Sequence, residues 1–72
     1  MNYREIAEPQ SGASLAEIQA AKADLQQQID EQRAGDLSTP GALDRHVSNL
    51  TLLQCLTARE IERSFLMRHS VA

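Results

Sequence analysis

After Gly41 the chain holds no proline and no glycine. Its apolar residues run from Leu43 to Phe65, Leu66 and Met67, so nothing local tells this half to leave a helix. A helix of about 28 residues would be roughly 42 Å long. Inside it lies Leu50-Thr51-Leu52-Leu53-Gln54-Cys55-Leu56, whose apolar side chains point almost all the way round the helix. A helix on the surface of one small domain needs only an apolar stripe. Something must therefore cover more than one face.

Projected down the axis, Val47, Leu50, Ala58, Ile61 and Phe65 fall within about 60° of Leu43 and form one face. Leu52, Leu53, Leu56 and Met67 form a second band, and Cys55 with Leu66 begins to close the circle. An earlier helix offers one partner for these two faces. It starts at a capping box, Ser14-Leu15-Ala16-Glu17, in which the Ser14 hydroxyl and the Glu17 carboxylate can each satisfy a free backbone N–H. Leu15, Ile18, Ala21, Leu25 and Ile29 then follow at helical spacing, with Gln, Lys, Asp and Glu on the other sides. Arg33 and Gly35 supply a cation in the last turn and a left-handed cap. Thr39-Pro40 supplies the N-cap and first position of the next helix.

The expected fold class is all-α. An antiparallel hairpin (helix 15–34, turn 35–39, helix 40–69) occupies residues 14–72, and residues 1–13 form an extended or briefly helical arm. The intramolecular core of this expectation is Leu15, Ile18, Leu25 and Ile29 against Leu43, Val47, Leu50, Ile61 and Phe65. That leaves Leu52, Leu53, Cys55, Leu56, Leu66 and Met67 for a partner or an oligomer interface, with oligomerisation completing a bundle. An arm that folds back would lie near Phe65 to Met67, short of Leu52 and Leu53.

Composition points the same way. A chain of 72 residues buries only about 60% of its unfolded surface, so a single core is marginal. Its one cysteine, Cys55, excludes an internal disulfide and fits a reducing compartment. Cys55, His46 and His69, at separations of 9 and 14 residues, match no zinc-ligand spacing, so no metal and no cofactor are expected. The net charge is -3, the two halves carry three basic against seven acidic and four against three, and aromatic residues are scarce. This is a poor composition for nucleic-acid binding. No membrane span and no leader pattern stand out, so a cytoplasmic protein is expected.

Asp44, His46 and Ser48 cannot act as a hydrolytic triad on one helix, because neighbours at these spacings point apart. No enzyme is expected. The functional expectation is a small protein that binds another protein through the second band, as a regulator, inhibitor, anti-activator or small chaperone would. The alternative is a structural subunit of a bundle or filament. A homodimer or a higher oligomer fits either.

Overall fold

The computed structural model describes residues 2–69; the expected arm's residue 1 and the hairpin's residues 70–72 lie outside it. Three helices follow in order: α1 (Tyr3–Ala7), α2 (Leu15–Ala34) and α3 (Ala42–His69). Helix accounts for 78% of the described residues, and no strand occurs among them. The molecule is a rod of 52 × 19 × 17 Å. No helix among the described residues is long and apolar enough to cross a membrane.

Local chemistry sets most of the boundaries. Asn2 caps α1 by accepting from the Glu5 N–H at 3.2 Å. The capping box at α2 is formed in both directions: the Ser14 hydroxyl accepts from the Glu17 N–H at 3.1 Å, and the Glu17 carboxylate accepts from the Ser14 N–H at 3.3 Å. Gly35 ends α2 with its N–H shared between the Glu31 and Gln32 carbonyls, but its backbone is extended, not left-handed. The reversal is built further on. The Asp36 carboxylate accepts from both the N–H and the hydroxyl of Ser38, at 2.9 and 2.6 Å, and these bonds hold its pKa below the usual carboxylate range. Gly41 then takes φ +83°, which only glycine adopts freely and which no helix contains. Hence α3 begins at Ala42 and not at Pro40, with the Gly41 carbonyl accepting from the Arg45 N–H at 3.1 Å.

Lys22 meets Glu60 at 2.7 Å and Gln32 meets His46 at 3.1 Å, which fixes an antiparallel register between α2 and α3. In that register Leu15 stands about level with Phe65, and the last turn of α3 projects past the start of α2. The Lys22 ammonium holds the Glu60 pKa below the usual carboxylate range.

The arm does not lie where its length suggested. After the turn through Pro9 and Gly12 (φ +69°), α1 runs back along α2. There the Tyr3 hydroxyl donates to the Asp24 carboxylate and accepts from the Gln28 amide. The bond to Asp24 raises the Tyr3 pKa above its ordinary value. The Ser11 hydroxyl holds the turn, donating to the Ile6 carbonyl at 3.1 Å and accepting from the Ala13 N–H at 3.3 Å. Tyr3 and Ile6 thereby pack against the buried cluster in the middle of the hairpin, as Leu52 and Leu53 do from α3.

That placement decides which face of α3 is inside. Ala7, Ala21, Leu25, Ile29 and Leu56 form the buried cluster, with Leu50, Leu52 and Leu53 packed against it. Ile18 is buried as well, whereas Leu15 is half-buried. Of the expected core residues of α3, Leu50 packs against the buried cluster, but the other four are outside: Leu43 is 55% exposed, Val47 53%, Ile61 64% and Phe65 54%. The physical reason is where three helices can converge. A five-residue α1 covers only the middle of the hairpin, and there the second band offers Leu52, Leu53 and Leu56. The first face offers Gln54 at that level and carries its largest apolar groups toward the ends. Burying the central leucines removes the most apolar surface from water.

Candidate interaction surface

With Leu52, Leu53 and Leu56 turned inward, the outer side of α3 carries a continuous seam. It runs Leu43, Val47, Leu50, Gln54, Ala58, Ile61, Phe65 at spacings of three and four residues, so all seven lie on one side of the helix. Leu50 is half-buried and leans into the core; Gln54 and Ala58 are exposed. Near the Phe65 end Leu66 and Met67, at 49% and 56% exposure, add apolar surface on other sides of the helix. Phe65 is stacked on the His69 ring at a centroid distance of 4.0 Å, and the His69 Nδ1 lies 2.8 Å from the Phe65 carbonyl oxygen. This ring pair ends the seam as a broad, flat surface.

Helix α3 tolerates its threonines because each closes a bond to the preceding turn: Thr51 donates to the Val47 carbonyl at 3.0 Å and Thr57 to the Leu53 carbonyl at 2.9 Å. One flank of the seam is acidic, with Asp44 and Glu62 on the same side; Glu62 is paired with Arg59 at 2.9 Å.

Of the residues first assigned to an interface, Leu56 is fully buried, and Leu52 and Leu53 are half-buried in the core. A fully buried leucine cannot contact a partner without unfolding, so Leu56 is a core residue, while Leu52 and Leu53 pack against that core with part of each left at the surface. Cys55 is exposed and not packed. It borders a shallow groove lined by Arg4, Val47, Ser48, Asn49, Thr51 and Leu52, where α1 meets α3. Leu66 and Met67 remain at the surface.

His46 is the residue the sequence hid. It is 6% exposed, and its Nδ1 donates to the Gln32 Oε1, which can only accept. Its periodicity was the available signal: His46 stands one heptad before Leu53 and so shares that residue's inward face. Asp44 and Ser48, its neighbours in the imagined triad, are exposed while His46 is buried. Another concavity, near the arm's turn, is lined by Glu5, Glu8, Gln10, Ser11 and Glu17. No group of three or more histidine, cysteine or acidic residues among the described ones could hold a metal ion. No protein-family model, no curated protein and no solved structure matches the chain.

Proposed function

We propose that this chain is a small non-enzymatic protein that acts by binding protein through the outer face of α3, as a regulator, inhibitor or small chaperone in the cytoplasm would. One observation carries the reading. Among the described residues the large hydrophobic side chains near or above half exposure, Leu43, Val47, Ile61, Phe65, Leu66 and Met67, all belong to α3, and the first four share its outer face. The exposed residues of α2 are alanines, glutamines and charged groups. Single apolar residues at a surface need no explanation, but a contiguous apolar strip does. A lone exposed thiol suits a reducing compartment. Self-association into a homodimer is one form this binding can take.

Ile61→Glu combined with Phe65→Glu tests the reading. Both positions are more than half exposed, so the double variant should keep its helicity and its melting temperature within the roughly 0.5 kcal/mol per site typical of surface changes. Its association, measured by sedimentation and by affinity capture of bound protein, should be lost. A folded double variant that associates and captures as the native chain does would remove the outer face from the account.

A further inference from the structure

We propose that the groove under α1, on the inner side of α3, binds a basic amphipathic helix of a partner protein, and that α1 is a plug which such a helix displaces. This is a second surface, on the side of α3 away from its outer face. The form of ligand it accepts is on view, because α1 fills it as a helix that touches both α2 and α3. Its anchors, Tyr3, Ile6 and Ala7, stand at the first, fourth and fifth positions of α1. This is the spacing by which an amphipathic helix seats in an apolar groove.

Three features make α1 a poor occupant. Its five residues span about 7.5 Å, a quarter of the roughly 30 Å of α2, and a helix so short has no stability of its own. Its burial is shallow: Ala7 is buried, but Tyr3 and Ile6 are only half-buried. Its charge is of the wrong sign. Glu5 and Glu8 line one concavity with Glu17 of α2, and none of the three carboxylates meets a cation among the described residues. Asp24 and Glu31 follow Glu17 at seven-residue steps, so the exposed wall of α2 beside the groove carries a carboxylate every second turn. Lysine or arginine side chains on an incoming helix pair with that wall, where α1 brings more glutamate. The groove also continues past Tyr3 and Arg4, as a concavity lined by Asn49 and Leu52 that a longer helix fills.

Tyr3 is the latch. Its hydroxyl donates to the Asp24 carboxylate and accepts from the Gln28 amide, tying α1 to α2. Removing that hydroxyl weakens the plug and leaves the apolar floor of the groove, Leu25, Leu53 and Leu56, intact. A ligand that binds only the open form has its affinity reduced by the fraction of chains that are open. Loosening the plug therefore tightens the binding of a competitor.

The test uses the full chain and a synthetic peptide of about 18 residues, long enough to hold a helix. The peptide carries tyrosine, isoleucine and alanine at the spacing of the α1 anchors and lysines on the side that meets α2. Its binding, read by fluorescence anisotropy, should weaken as salt rises. Tyr3→Phe should bind it roughly three to ten times more tightly, as the loss of hydrogen bonds of ordinary strength implies. Position 4 and Cys55 line one groove, so a bismaleimide can bridge Arg4→Cys to Cys55 and hold the plug shut. The bridged chain should lose the binding that the same chain capped with single maleimides keeps. Equal affinity of these two would overturn the proposal, as would no binding by the native and Tyr3→Phe chains, or equal binding of a peptide with glutamate in place of lysine. Ile61→Glu with Phe65→Glu should leave peptide binding unchanged. Loss of peptide binding in that variant would put the peptide on the outer face and overturn the groove, whereas loss of protein capture alone bears only on the outer face.

Discussion

Leu56→Ala should lower the stability of this protein by about 2 to 5 kcal/mol, the range for deleting a buried leucine side chain. The side chain is fully buried where all three helices meet, so the cavity it leaves has walls from each of them. A domain of this size has on the order of 4 to 11 kcal/mol in total. One truncation therefore removes about a fifth of it at the least, and the melting temperature should fall by roughly 10 °C or more. Ile61→Ala, the same kind of change on the outer face of the same helix, should move it by only a degree or two in a dilute sample. Thermal unfolding followed by circular dichroism separates the two, and equal losses would contradict the division of α3 into an inner and an outer face.

Removing residues 1–13 should have an effect as large by a different route. The arm contributes Ala7 and Ala13 to the buried set and packs Tyr3 and Ile6 against the same buried cluster as Leu52 and Leu53. It also carries the hydrogen bonds from Tyr3 to Asp24 and Gln28. Without it a bare two-helix hairpin must expose the central leucines, and so short a chain has little core to spare. The shortened chain should keep much of its helix signal, melt over a broad range and bind a hydrophobic dye, the behaviour of a helical state that has lost specific packing. A sharp transition at the native midpoint would mean that the arm is an ornament.

These two results bear on how much of the molecule could be read from its residues. The limits of α2 were legible, because Ser14 with Glu17 and Arg33 before Gly35 act through backbone groups only a few residues away. The existence of α3 was legible from an uninterrupted helical run. Its first residue was less so: Thr39-Pro40 is a good start signal, but Gly41 adopts a left-handed φ and delays the helix to Ala42. The inward face of α3 was not legible at all. Both faces are apolar, and the choice depends on where Tyr3 and Ile6 land, through contacts more than 20 residues away in sequence on α2 and more than 45 away on α3 that no local spacing encodes. His46 followed the same fate, since a histidine on an inward face looks in sequence like a histidine on any other.

The candidate surface inherits that history. Leu66 and Met67 were expected at a partner or oligomer interface, and both are exposed. Leu43, Val47, Ile61 and Phe65 became the surface because the arm sealed the opposite side. Core and contact face exchanged roles without any change in secondary structure, because a helix with two apolar faces can be turned about its axis at little local cost.

Thiol accessibility along α3 tests that exchange most directly. In a Cys55→Ser chain, single cysteines placed at 47, 53, 56 and 61 can be labelled at low micromolar concentration, where weak dimers are dissociated. Labelling should be rapid at 47 and 61, slower at the half-buried position 53, and at 56 slowed to the rate at which the fold opens. Rapid labelling at 53 and 56 with protection at 47 and 61 would put the other face inside and contradict it.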